Sequence, residues 1–281
     1  MGQNFLVSRQ ILTRITESAE IRAGEELLEI GPGLGFLTHF LLARGARVTA
    51  CEMDPGLADW LEEVFAGEEA FHLIRGDFLQ ADIPSFDGSR IRAIANLPYN
   101  ITSPALERLF ALSPLDEIIV MVQRQVAERI LAKPGTRAYG SLSLFAAFHS
   151  VPALLFHVSP GNFHPAPSVY SSVVRFRLRP PPLPAEAQPC FFALVRAVFS
   201  SRRKTLRNSL RDSPFTRMDA ALLDAILQAE HINGGIRGEV LSLSQFAGLA
   251  LRLQSLGGFT PGRRGGKDER DGNPGKKSEQ E

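Results

Sequence analysis

From Glu26 to Arg179, short β-rich runs alternate with stretches of helical periodicity, and this alternation restricts the fold more than any other feature of the chain. Strands are predicted at 26–31, 47–54, 71–77, 92–97, 117–122, 154–159 and 172–179, with helices at 34–44, 55–66, 103–112, 123–132 and 140–149. Such alternation builds a mainly parallel sheet covered on both faces. No helix separates the last two strands, so at least one of them should run antiparallel. The expected fold class is therefore α/β: a seven-stranded, Rossmann-like, doubly wound domain.

At Arg179 the composition changes. The proline-rich RPPPLPAEAQP (179–189) cannot continue a sheet and reads as a linker. Helical patterns follow at 190–212, 219–230 and 242–254. The expected organisation is a sheet domain over 1–180, a linker over 181–189 and a small C-terminal helical domain over 190–256. A glycine-rich, apolar-poor tail over 257–281 is expected to be disordered.

The net charge of +1 conceals a polarity. Residues 1–95 carry fifteen acids against eight bases, whereas 175–211 carry nine bases against Glu186 alone. A polyanion engaged by one region is the implied partner. No apolar run reaches the length of a membrane span, and MGQNFLVSRQ lacks the layout of a signal peptide. Cys51 and Cys190 have no metal-type spacing and read as free thiols of a cytoplasmic protein. His149, His157 and His164 match no ligand set, so no metal is expected.

Three predicted strands end in groups suited to a ligand. EIGPGLG (29–35) makes a strand-to-helix turn that a ligand can approach closely. Phe36 stands where a dinucleotide fingerprint would place its third glycine, which disfavours a pyrophosphate. Glu52 ends the second strand, where it can accept ribose hydroxyls, and Asp77 ends the third, where it can accept from an adenine amine. S-adenosylmethionine satisfies this set: it has ribose and adenine, needs no phosphate cradle, and its cation suits the local acids.

The fourth strand ends in NLPY (96–99). An adenine N6 is a poor nucleophile because its lone pair is delocalised into the ring. Two acceptors on its N–H groups, the Asn96 side-chain oxygen and the Leu97 carbonyl, would draw it toward tetrahedral geometry. Pro98 fixes the bend without offering a donor, and Tyr99 can stack on the base. The enzyme's task is then orientation and exclusion of water, without a strong base. An adenine in RNA must be unstacked to reach such a pocket.

With GQNFL (2–6), AYGSLS (138–143), FHPAPSV (163–169) and RRKTLRNSL (202–210), these motifs resemble the rRNA adenine N6,N6-dimethyltransferase family from Gly2 to about Leu253. The similarity runs closest to the small-subunit branch, which dimethylates two adjacent adenosines near the 3′ end of 16S rRNA during ribosome maturation. It implies that Asn4, Leu6, Gly31, Gly33, Glu52, Met53, Asp77, Phe78 and Asn96 contact S-adenosylmethionine. It further implies that Asn96, Leu97, Pro98 and Tyr99 are catalytic and that Phe163 packs on the target base opposite Tyr99. The implied partner is small-subunit rRNA in an immature particle, bound by a monomer. The chain departs from the family pattern in beginning directly before GQNFL, without a basic arm. It also carries Gln125 for a common Glu and Tyr170 for a common Asp.

FFALVRAVFSSRRKTLRNSLRD (191–212) reads as one amphipathic helix with Phe192, Val195, Phe199, Leu206 and Leu210 as its buried stripe. Arg203, Arg207 and Arg211 then share a face, flanked by Arg202 and Lys204, as a row that would track phosphates. Three alternatives stay open. A large-subunit rRNA dimethyltransferase would share the same pocket, and a non-catalytic RNA-binding factor could keep the same fold. A nicotinamide oxidoreductase conflicts with Phe36 and with the lack of a proton-relay residue.

Overall fold

The computed structural model describes residues 4–84, 91–216 and 218–256. The tail expected at 257–281 lies outside the described residues. The chain divides into two compact units. The first runs to Pro182 and takes in Glu239–Leu243; the second begins at Leu183 and is rejoined at Ser244.

In the first unit, β1 (Phe5–Leu6) and α1 (Arg9–Ala19) precede the alternation. Then follow β2 (Glu26–Ile30), α2 (Phe36–Leu42), β3 (Arg47–Glu52), α3 (Pro55–Val64) and β4 (Phe71–Arg75). After these come β5 (Ile91–Asn96), α4 (Thr102–Ala111), β6 (Leu115–Gln123), α5 (Arg124–Ile130) and α6 (Ser141–His149). The unit closes with β7 (Ser150–Val158), β8 (Phe163–His164) and β9 (Ser171–Leu178).

Seven strands form one sheet in the order β4-β3-β2-β5-β6-β9-β7. The pairs among β2 to β6 are parallel, and β9 runs antiparallel to both of its neighbours. The single reversal comes where only a 3-10 turn at Pro160–Asn162 and β8, and no α-helix, lie between β7 and β9, as the sequence pattern requires. The inner parallel strands are buried on both faces: Leu27, Leu28, Ala93 and Ile118 are fully covered, while β4 at the edge is only partly buried. One cluster, with Ile30, Phe78, Leu106 and Phe176, packs one side of the sheet, and another, with Leu12, Leu41, Met121 and Phe163, packs the other. After β4 the chain returns past β2 to lay β5 on the opposite side. The crevice between the loops following β2 and β5 is thus the switch point, where open α/β sheets take ligands.

Helix α1 and strands β1 and β8 of this unit are absent from the expected list. Helix α1 buries Ile11, Leu12, Ile15 and Ala19, a helical spacing that stands in the sequence ahead of the alternation. Strand β1 pairs antiparallel with β8, matching Phe5 to His164 and Leu6 to Phe163 in a separate two-stranded sheet.

The second unit contains α7 (Gln188–Ser200), α8 (Leu206–Asp212), α9 (Ala220–Ala229) and most of α10 (Leu243–Ser255). The single helix expected over 190–212 is two helices broken at 201–205. Thr205 caps α8, its hydroxyl accepting from the Asn208 N–H at 3.4 Å. The apolar phase survives the break, because Leu206 and Leu210 are again fully buried, which is why periodicity alone ran through it. On α7 the buried stripe is Phe191, Leu194, Val195 and Val198, while Phe192 and Phe199 are half-buried. The proline-rich stretch is less free than a linker: Leu183 and Ala187 are buried, and Ala185–Ala187 form a 3-10 turn leading into α7.

Candidate active site at the carboxyl ends of the strands

The loop after β2 is held from three sides. Gly33 has φ of +60°, and a Cβ there would lie 3.0 Å from the Phe5 ring. Gly35 has φ of +80°, and a Cβ there would lie 2.8 Å from the Phe65 ring and 3.0 Å from Leu61. Both positions need glycine for conformation and for space. On the third side, a Cβ at Gly31 would come within 3.7 Å of the Pro98 ring. The glycine-rich turn and the NLPY turn therefore face each other across the switch point. Trp60 on α3 adds a further tie, donating its indole N–H to the Leu34 carbonyl at 3.4 Å.

Two carboxylates support this loop from beneath. Glu52, at the end of β3, is 5% exposed, yet its oxygens accept from the Gly33 N–H at 3.1 Å and the Asp54 N–H at 3.0 Å. Each oxygen keeps a second lone pair. Glu29 is fully buried and accepts from the Thr38 hydroxyl at 2.7 Å. Burial pushes its pKa up to about 8, with the Thr38 bond opposing and the Glu52 charge adding to the rise.

Asp77 follows β4 in a capped turn: its Oδ1 accepts from the Leu79 N–H at 2.9 Å, and its carbonyl from the Gln80 and Ala81 N–H groups. Met53, beside Glu52, is 56% exposed. Phe78 is buried in the core cluster with the Arg108 guanidinium over its ring, so its side chain is not open to a ligand. Asn4 is half-buried and Leu6 buried at the β1 edge.

In the NLPY turn, Leu97 donates its N–H to the Met121 carbonyl at 3.2 Å, fixing the turn to β6. Among the described residues, nothing donates to the Leu97 carbonyl, and the Asn96 side-chain amide makes no hydrogen bond. Asn96 is paired in register with Met121, and Met121 in turn with Val173 of β9. Two residues further toward the edge, Ser171 holds Tyr99: Tyr99 Oη and Ser171 Oγ are 2.7 Å apart. Nothing local in the sequence signals that pairing, which spans 72 positions. Pro98 is exposed and Tyr99 half-buried.

Phe163 lies elsewhere than an open stacking platform would. It is 4% exposed and belongs to the core cluster with Leu6, Ile15 and Phe156. The physical reason is the β1–β8 ladder, in which Leu6 and Phe163 face each other and the alternate residue, His164, is exposed. The other two histidines are occupied structurally. His157 Nδ1 meets Ser172 Oγ at 2.8 Å, and His149 stacks on Phe110. Both cysteines are buried free thiols, and burial raises Cys51 to about 11. Among the described residues no metal-ligating cluster occurs, and no helix is long and apolar enough to cross a membrane.

The break between α7 and α8 also redistributes the cations. Arg202 and Arg203 stand in the turn before α8, which carries Arg207 and Arg211. Arg207 makes a two-pronged pair with Asp224 at 2.6 and 2.7 Å, while Lys204 and Arg211 both engage Asp212, at 3.0 and 2.7 Å. These two cations hold the Asp212 carboxyl down at about 2. The expected row of unpaired charges is thus partly neutralised within the helical unit.

Comparison with known proteins agrees with this geometry. The family model described as ribosomal RNA adenine dimethylase matches residues 1–248. A ribosomal RNA small subunit methyltransferase A from Lachnoclostridium phytofermentans is 38% identical over 257 residues, 89% of each chain. Among solved structures, a dimethyladenosine transferase from Plasmodium falciparum superposes with a TM-score of 0.76 at 25% identity, covering 91% of this chain and 99% of that one. The 23S rRNA methyltransferase ErmE does so with a TM-score of 0.68 at 28% identity, covering 89% and 99%. A glycine turn braced by a strand-end carboxylate, an NLPY bend facing it and a model match over most of the chain lead to one assignment: this protein belongs to the ribosomal RNA adenine dimethylase family.

Proposed function

We propose that the protein transfers methyl groups from S-adenosylmethionine to the N6 amines of two adjacent adenosines near the 3′ end of small-subunit rRNA. The observation that carries this reading is the pair of acceptors at the end of β5. The Asn96 amide and the Leu97 carbonyl are fixed by the Leu97–Met121 bond yet unused within the described protein, and they stand in the turn that faces the glycine-rich loop. The small-subunit assignment draws on the relatives, which carry the name ribosomal RNA small subunit methyltransferase A.

The residues present fit the cofactor. The left-handed glycine turn leaves room for a close backbone approach, and Glu52 keeps one lone pair on each oxygen for ribose hydroxyls. Exposed Met53 offers an apolar surface for a base, and Asp77, with the backbone at Phe78, borders the same edge. Asn4, Leu6, Gly31 and Gly33 complete the proposed wall. When bound, S-adenosylmethionine supplies an electrophilic methyl group.

The chain's own residues make the amine reactive. Asn96 Oδ1 and the Leu97 carbonyl each accept an N6–H, which localises the nitrogen lone pair and aims it. Tyr99, oriented by Ser171, covers one face of the base. After transfer the arylammonium is acidic and gives up its proton without a strong base. A second transfer uses the remaining N–H in the same bend. Phe163 is assigned a supporting role through the β1–β8 ladder, since stacking would require that edge to open.

Arg202, Arg203, Lys204, Arg207 and Arg211 supply the phosphate-binding surface. The exposed ion pairs of Lys204 and Arg211 with Asp212 and of Arg207 with Asp224 exchange readily for phosphate, because water and salt screen pairs at the surface. The immature small subunit is the proposed substrate, and a monomer in the cytoplasm the proposed form.

Labelled methyl transfer to subunits from cells lacking the protein tests this reading. Label in small subunits is expected. Label in large subunits alone would move the assignment to the ErmE-like activity, and none in either would favour a non-catalytic binder.

A further inference from the structure

We propose that Tyr170 is a stacking platform for the nucleobase next to the target adenosine. This rests on the methyltransferase reading and adds to it a residue that holds the flanking nucleotide. Tyr170 is 51% exposed, although its backbone stands on fixed ground. Its carbonyl accepts from the Arg124 N–H at 2.9 Å, and the next residue, Ser171, is fully buried and paired with Gln123 on one side and Val158 on the other. The ring stacks on no other ring among the described residues. It is therefore an aromatic surface with a rigid base and an open face.

Its position gives that surface a use. Tyr170 directly precedes the serine whose hydroxyl lies 2.7 Å from Tyr99, so its backbone enters β9 one residue from the Tyr99 anchor, at the carboxyl edge of the sheet. An adenosine turned into the pocket leaves its neighbour without a stacking partner, an energetic cost of extrusion. An aromatic face beside the pocket restores that stacking, and aromatic faces accept any base. When the neighbour is itself an adenosine awaiting modification, Tyr170 keeps it at the site between rounds. Arg124, exposed at the start of α5 and bonded through its backbone to Tyr170, brings a cation to the same place; its side chain currently pairs with Glu128 at 2.9 Å. The ligand class is an unstacked purine in single-stranded RNA.

The test is steady-state methylation of undermethylated small subunits by wild type, Tyr170→Ala and Tyr170→Phe. Tyr170→Ala is expected to raise KM for the particle about tenfold, in the range alanine substitution gives for base–aromatic stacking. Its kcat should change little, and Tyr170→Phe should restore wild-type KM because the ring survives. An unchanged KM in Tyr170→Ala, or a Tyr170→Phe as impaired as Tyr170→Ala, overturns the proposal. A short RNA with 2-aminopurine beside the target adenosine reads the contact without turnover. Quenching by wild type and Tyr170→Phe but not by Tyr170→Ala supports it, and equal quenching by all three contradicts it. Quenching of this pattern without any methylation would remove the function proposed above and leave the platform standing.

Discussion

The ring of Phe5 occupies the space that a side chain at Gly33 would fill, 3.0 Å from the position of its Cβ. An N-terminal residue is thereby part of the wall of the glycine-rich loop, and the β1–β8 ladder fixes it there. Gly33→Ala meets both an aromatic ring and a left-handed backbone, which alone costs roughly 1–2 kcal/mol. Calorimetry should record at least a tenfold loss of S-adenosylmethionine affinity. Phe5→Ala, which frees the loop on one side, should lose several-fold. Equal affinities in all three proteins would separate this loop from the cofactor.

Tyr99 and Ser171 form one unit. Tyr99→Phe keeps the ring and loses the hydrogen bond, so kcat should fall several-fold, in line with about 0.5–1.5 kcal/mol for such a bond. Ser171→Ala should fall equally, and the double variant no further. Additive losses would mean that the two residues act separately.

Glu29 makes stability depend on pH. Its pKa is raised from 4.5 to about 8 in the folded protein by burial, so folding favours the protonated form. That favourable contribution is complete below about pH 4.5 and is lost as pH rises toward 8. Glu29→Gln, neutral at every pH, should match wild type near pH 5 and exceed it above pH 8 by a few kcal/mol in urea unfolding. Parallel stability curves across this window would mean that Glu29 is ionised in the fold.

The paired cations predict a gain of affinity. Asp224→Asn releases Arg207, so RNA binding should strengthen several-fold and its salt dependence steepen by about one ion. Arg203→Glu should weaken binding and flatten the slope while leaving cofactor affinity unchanged. Salt slopes from fluorescence anisotropy decide between this and a purely structural Arg207–Asp224 pair.

Strands β2 to β6 were legible because each is a short apolar run closed by a polar or glycine stop, and the sheet positions those stops together. Glu52 and the NLPY bend could be read for the same reason. Strands β1 and β8 could not, since two residues carry no periodicity and their partners lie far apart in the chain. The inward turn of Phe163 followed from that hidden pairing. The break at 201–205 was invisible because Leu206 resumes the apolar phase of α7, and the pairing of Arg207 waited on Asp224, an acid of another helix.

The acceptors at the end of β5 are the centre of the account, and Asn96→Ala removes one of them. The rate of a single methyl transfer at saturating S-adenosylmethionine and small subunits should fall about 100-fold, as when one preorganised polar group is deleted from a reaction centre. A rate within threefold of wild type, roughly 0.7 kcal/mol in barrier, would contradict it.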